Sequence, residues 1–149
     1  MTYLNPVFHY GYEAFFERCQ DVGIDGIIIP DLPFEEKEEV DVVAGNYGID
    51  LISMIAPTSK ERIRKIAKGA KGFLYVVSSM GVTGERTNIT TDIGGMLKEI
   101  RSVSSVPAAV GFGIHTPDQA AEISKTADGV IVGSAVVKLI EKYGSHAGG

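Results

Sequence analysis

What this chain has little of narrows it quickly. Its one cysteine, Cys19, cannot close an internal disulfide, so a reducing, cytoplasmic setting is expected. Positive charge is in deficit. With 14 Lys and Arg against 19 Asp and Glu, the net charge of −5 gives no drive toward nucleic acid or an anionic membrane. No apolar stretch is long enough to span a bilayer, and Met1–Pro6 lacks the basic and long apolar segments of a signal peptide. His9, His115 and His146 do not cluster with other ligand types at a metal-binding spacing, so no metal is expected. Ser78, Ser79 and Cys19 have no neighbouring base, which leaves nucleophilic catalysis unsupported. Length is short as well: 149 residues make one domain with one core, whereas a complete (β/α)8 barrel takes about 250.

What is present is a βα alternation. Apolar runs occur at Ile24–Ile29, Leu51–Ile55, Phe73–Val77, Val106–Val110 and Val130–Val132, starting roughly 22–33 residues apart, as parallel crossovers require. The runs are nearly continuous in apolar residues, the pattern of strands covered on both faces. Met1–Leu4 reads as the end of one more strand. Between the runs lie helical patterns with recognisable starts. Thr58-Ser59-Lys60-Glu61 and Thr116-Pro117-Asp118-Gln119 both fit capping boxes, and the second has proline at the first helical position. The acidic run after Pro33 suits the positive end of a helix dipole. The expected fold is α/β, an incomplete (β/α)8 barrel occupying residues 1–149 as a single domain.

Two glycine turns carry the chemistry. Gly111-Phe112-Gly113-Ile114 and Gly133-Ser134 each follow an apolar run and precede a helical pattern. Glycine there lets backbone approach a ligand, and the free N–H groups of the next turn bind an anion. Paired turns of this kind form the phosphate site after the last two strands of many barrels, so a phosphate ester is the expected substrate. The C-terminal ends of the strands hold the ligand in such a barrel, and this sorts the acids. Asp25, Asp50 and Asp128 precede their strands and belong to the stability face. Asp31 follows its strand; loop positioning, partner contact and catalysis all remain open for it. No acid–base pair converges. The loop from Met80 to Asn88 has two glycines and becomes polar toward its end, the character of a lid. Tyr3 and Tyr75 fall on apolar runs, as core aromatics or as the lining of a pocket for an aromatic ligand.

Taken together, Tyr3-Leu4-Asn5-Pro6, Ile29-Pro30-Asp31-Leu32-Pro33, Gly81-Val82-Thr83-Gly84, Gly111-Phe112-Gly113-Ile114 and Asp128-Gly129-Val130-Ile131-Val132-Gly133-Ser134-Ala135 closely resemble the α subunit family of tryptophan synthase, in family order along nearly the whole chain. The resemblance implies a carbon–carbon lyase of tryptophan biosynthesis. It cleaves indole-3-glycerol phosphate to indole and glyceraldehyde 3-phosphate by a retro-aldol reaction. It also implies a β subunit as partner in an α2β2 complex, with pyridoxal phosphate belonging to that partner and no cofactor in this chain. By the same resemblance, Gly84, Gly111, Phe112, Gly113, Gly133 and Ser134 bind the phosphate. Tyr3 and Tyr75 line the indole pocket, and Thr83 is a lid residue. Asn5, Pro6, Asp31 and Pro33 lie near the partner. The family's catalytic glutamate and aspartate lie on and after the second strand, whereas Met1 matches about the third, so no catalytic residue is carried over. The last helix likewise matches incompletely. The expectation is therefore strands 3 to 8 with weak or no activity alone. The alternative is a non-catalytic module that binds phosphate or docks on a β subunit. Another phosphate-binding barrel, such as a histidine-pathway isomerase, fits the Gly-Val-Thr-Gly lid poorly.

Overall fold

The computed structural model of the chain describes residues 1–78, 88–111 and 113–144. Every strand pairing among them is parallel, and helices separate the strands in sequence except between β2 and β3. The order is α1 (Leu4–Tyr10), α2 (Tyr12–Asp21), β1 (Gly26–Ile27), a 3₁₀ turn (Phe34–Glu36), α3 (Lys37–Asn46), β2 (Asp50–Leu51), β3 (Ser53–Ile55), α4 (Lys60–Lys68), β4 (Leu74–Val77), α5 (Asn88–Arg101), β5 (Ala108–Gly111), α6 (Pro117–Ile123), β6 (Gly129–Ile131) and α7 (Ser134–Tyr143). One sheet pairs β1 with β2; the other runs β3-β4-β5-β6. Ile52 alone separates β2 from β3, and its N–H donates to Ile27 O at 2.9 Å, so residues 50–55 carry the ladder from one sheet to the other.

Helix spacing decides which sheet face is covered. On α4, Ile63, Ile66 and Ala67 are buried; on α5, Ile93, Met96, Leu97 and Ile100 are. Both sets follow the three-and-four spacing of one helix face. They pack on Ile55, Leu74, Val76, Ala108 and Val110, the outward side chains of β3, β4 and β5. Each buried Ile or Leu contributes about 1.5–3 kcal/mol relative to exposure. A second cluster joins Val7, Phe16, Cys19, Val40 and Ala44 of α1, α2 and α3 to Ile27 and Leu51. Burial pushes the Cys19 thiol up from its ordinary value. By strand alternation and register, Met54, Tyr75, Val77, Ala109, Gly111, Gly129 and Ile131 share the opposite, inner face.

Polar contacts tie the two clusters together. Arg62 of α4 grips Glu35 through both nitrogens, at 2.6 and 3.1 Å. Lys71 bonds Asp41 at 3.1 Å, and Lys37 Nζ donates to the buried Ser53 hydroxyl at 3.3 Å. A cavity of about 530 Å³ lies along this seam, lined by Phe34, Lys37, Ile52, Ser53, Met54 and Arg62 among others. The Arg62 bond holds the Glu35 carboxyl below its ordinary range. On the other side of α4, Glu99 accepts from Arg64 at 2.7 Å and pairs with Lys60 at 3.4 Å. Burial raises the Glu99 carboxyl, but those two cations outweigh it, and the net shift is downward.

Three local expectations change. Met1–Leu4 forms no strand: Thr2 N–H makes one bond to Ile28 O at 3.1 Å, and α1 starts at Leu4. The physical cause is a helix start built from two places. Pro6 falls in the first turn, where its missing N–H costs no bond, and Asp31 Oδ1 accepts from Leu4 N–H at 2.9 Å. The box expected from Thr58 to Glu61 is replaced by a cap one residue later, where Ser59 Oγ accepts from Arg62 N–H. Asp50 does not precede its strand but is the first residue of β2. The box at Thr116 is present in both halves. Asp128 lies where stability would place it: Oδ2 accepts from Ala108 N–H at 2.9 Å and Oδ1 faces Arg101 at 3.4 Å, joining the starts of β5 and β6.

Candidate functional site

The turns after β5 and β6 meet at one cavity. Its volume is about 590 Å³, and Met1, Ile28, Phe73, Tyr75, Gly113, Ile114, His115, Ile131, Gly133 and Ser134 line it. Ile28 follows the first strand and Ile131 ends the last, so the sheet curves around this space from end to end. Tyr75 and Ile131 project from the inner face, while Gly113, Gly133 and Ser134 lie at the C-terminal rim. Among the described lining residues there is no Asp or Glu.

The two helix starts at this rim differ. Gln119 Oε1 accepts from both His115 N–H, at 2.8 Å, and Thr116 N–H, at 3.2 Å, while Thr116 Oγ1 accepts from Gln119 N–H at 3.3 Å. The amino end of α6 is thereby closed by its own side chains. α7 has no side-chain cap at Gly133, and its first internal bond is Val137 N–H to Gly133 O at 3.1 Å. Ser134, Ala135 and Val136 therefore have no intrahelical acceptor for their N–H groups, which carry the positive end of the helix dipole. Of the two helix starts, α7 is therefore the one whose first N–H groups are not taken up by its own side chains. Gly113 has φ of +76°, a backbone state that a Cβ makes costly, and this turns the chain from β5 over the cavity.

Gly111 plays another part. It is buried at the end of β5, outside the cavity lining, and a Cβ there would lie 2.6 Å from Tyr75 Oη and 2.8 Å from its Cζ. The missing side chain is what lets the tyrosine ring lie across the inner face. Gly111 O also accepts from Ser78 N–H at 3.0 Å and Ser78 Oγ at 3.1 Å, locking the ends of β4 and β5 together.

Of the residues expected at the phosphate, Gly113, Gly133 and Ser134 come together, and Gly111 lies one layer below. Gly84, Phe112 and the lid residue Thr83 lie outside the described residues. Tyr75 lines the cavity. Tyr3 is 67% exposed at the start of α1 and is not a lining residue; Met1 occupies the wall instead. Asn5, Pro6, Asp31 and Pro33 are all exposed, and the Leu4–Asp31 bond draws their two segments onto one rim. Sequence reasoning missed the contributions of Met1, Phe73 and Ile28 to the cavity. Their signal was present only as apolar residues at strand ends. Among the described residues no three His, Cys, Asp or Glu side chains gather as a metal site would need, and no helix is long and apolar enough to cross a membrane.

This arrangement has known counterparts. The family model described as tryptophan synthase alpha chain matches residues 1–148. The tryptophan synthase alpha chain of Lacticaseibacillus casei is 54% identical over 147 residues, 99% of this chain and 55% of that one. The Lactiplantibacillus plantarum protein of the same name is 52% identical, over 96% of this chain and 54% of its own. The structure of tryptophan synthase subunit alpha from Campylobacter jejuni superposes with a TM-score of 0.88 at 39% identity, covering 93% of this chain and 56% of that one. A structure titled for the tryptophan synthase a2b2 complex of Pyrococcus furiosus superposes at 0.84 and 35% identity, covering 99% and 60%. The chain thus spans about half the length of the relatives it matches, and its curved parallel sheet is part of a (β/α)8 barrel. On sequence and on structure alike, it belongs to the tryptophan synthase alpha chain family.

Proposed function

We propose that this chain is the phosphate-gripping part of a tryptophan synthase α-type lyase, acting in tryptophan biosynthesis on indole-3-glycerol phosphate. The observation that carries the reading is the cavity in which Gly113, Gly133, Ser134 and the uncapped start of α7 converge. Its rim offers backbone N–H groups to a dianion, and its wall offers the Tyr75 ring to an aromatic group. Retro-aldol cleavage to indole and glyceraldehyde 3-phosphate also needs a positioned acid and base. The described lining supplies no carboxylate, and loss of one such group typically forfeits about 10²–10⁴ in rate. The chain by itself therefore binds the ester with little or no turnover. The exposed rim of Asn5, Pro6, Asp31 and Pro33 is the part of this reading that meets a β subunit, the partner that carries pyridoxal phosphate.

Calorimetric titration with glycerol phosphate, beside an indole-release assay on indole-3-glycerol phosphate, tests this. Binding without product is expected, and Gly113→Ala should weaken that binding. Turnover near that of a full-length relative, or no binding at all, would overturn the reading.

A further inference from the structure

The cavity on the seam is separate from the one at the glycine turns. The two share no lining residue, and the whole lining of the seam cavity comes from residues 29–77, between β1 and the end of β4. Its walls are mostly apolar, with Ile29, Leu32, Leu51, Ile52, Met54 and Ile66 among them. The charged residues of the described lining are Lys37 and Arg62, with neither Asp nor Glu beside them. Arg62 is already matched, since Glu35 takes two of its nitrogens. Lys37 is not. Its ammonium group rests on three neutral partners: Ser53 Oγ at 3.3 Å, Gly69 O at 3.5 Å and the Phe34 ring, whose centroid is 5.4 Å away. Lys65 Nζ stands over the same ring at 5.7 Å and adds a like charge. Among the described residues no carboxylate pairs with Lys37.

We propose that this cavity binds a small monocarboxylate with a branched aliphatic body and no ammonium group, its carboxylate resting on Lys37 and Ser53. A cation in an apolar hollow is costly unless an anion meets it. Both oxygen contacts of Lys37 are long and neutral, so its third N–H has a shorter, charge-assisted bond still to make. Ser53 supplies a second donor. Its side chain is in a residue only 7% exposed, its Oγ accepts from Lys37, and among the described residues nothing accepts its own proton. An ammonium group and a hydroxyl side by side match the two oxygens of one carboxylate. A dianion fits less well, because the second cation of the lining is committed to Glu35. An amino acid fits less well, because the lining offers no anion to its ammonium group. The cavity volume, about 530 Å³, lies within the range of small-molecule sites. An occupant would touch both apolar clusters, since Leu51 belongs to one and Ile66 to the other, and so would tie them together across the seam. The inference does not rest on the reading of the phosphate cavity.

Titration of the chain with 4-methylpentanoate, followed by amide NMR, is the experiment. Saturable shifts at Ile52 and Ser53 are expected, unchanged when glycerol phosphate is also present, together with a rise in Tm at saturation. The neutral amide of the same acid, and leucine, which adds an α-ammonium group to it, should each bind at least roughly tenfold more weakly. Lys37→Met should weaken the acid roughly tenfold and Ser53→Ala about threefold, whereas Lys37→Arg should retain most of the affinity. No binding of the acid, equal binding of its amide, or shifts at Gly133 and Ser134 in place of Ile52 and Ser53 would each overturn the proposal. If Lys37→Met loses its far-ultraviolet dichroism, the comparison of acid, amide and leucine on the unaltered chain decides alone.

Discussion

Replacing Gly111 with alanine should destabilise the protein through Tyr75. Gly111 lies in β5, and its backbone is not among those with positive φ, so a methyl group brings no backbone strain. Space is the obstacle. The added Cβ would meet Tyr75 Oη at 2.6 Å, Cζ at 2.8 Å and Cε1 at 2.9 Å, where ordinary contact begins at 3.4 Å. Three close contacts on one rigid ring cannot be relieved by rotating the hydroxyl alone, so the ring has to pivot toward the cavity. Overpacking of this kind costs about 1–3 kcal/mol. The open side of the ring argues for the lower half of that range. In a chain of this size each kcal/mol lowers Tm by about 2–4 °C. Truncation of Tyr75 to alanine removes the obstacle and carries its own cost. The pair Gly111→Ala, Tyr75→Ala should therefore lose less than the two single variants combined, with a coupling of about 1 kcal/mol. Urea denaturation followed by dichroism, on all four proteins, measures it. Additivity within about 0.5 kcal/mol would show that the glycine is not there for the tyrosine.

Asp128→Ala should cost about 1–3 kcal/mol in the same assay, because it leaves the Ala108 N–H without its acceptor and Arg101 without its anion; Asp128→Asn, which keeps a carbonyl oxygen, should recover part of the loss. Glu35 and Glu99 have carboxyls held below the ordinary range, so their contribution is complete above about pH 4.3, the unperturbed value, and fades as pH falls through their lowered values. Glu99→Gln should flatten the acid limb of the stability curve while leaving its shape near neutrality unchanged.

Elements with a strong local signature were legible. The five apolar runs each overlap at least one strand, and the Thr116–Gln119 box forms with both of its bonds. The same box, however, changes the reading of the first glycine turn. Gln119 occupies the N–H groups of His115 and Thr116, donors that motif spacing alone would leave free for an anion. Gly111 is a parallel case: a glycine after a strand suggests close approach to a ligand, and the close approach here is to Tyr75. Met1–Leu4 looked like strand because its apolar residues match that pattern. What starts α1 is a carboxylate 27 residues further on, Asp31, and no window of local sequence contains both. The gap between Arg62 and Glu35 is of the same length, so the seam between the two core clusters was equally out of sight.

That seam governs how the molecule comes apart. The two apolar clusters are joined in the backbone through one short segment around Ile52, and across the rest of their boundary by ion pairs, the Lys37–Ser53 bond and the Phe34 ring, all flanking a space that side chains do not fill. Cooperativity between the halves thus depends more on charge than on close packing, and salt screens charge. In strong electrolyte the α1–α3 end should melt as its own unit, ahead of the α4–α6 end, and a lone midpoint would then describe neither.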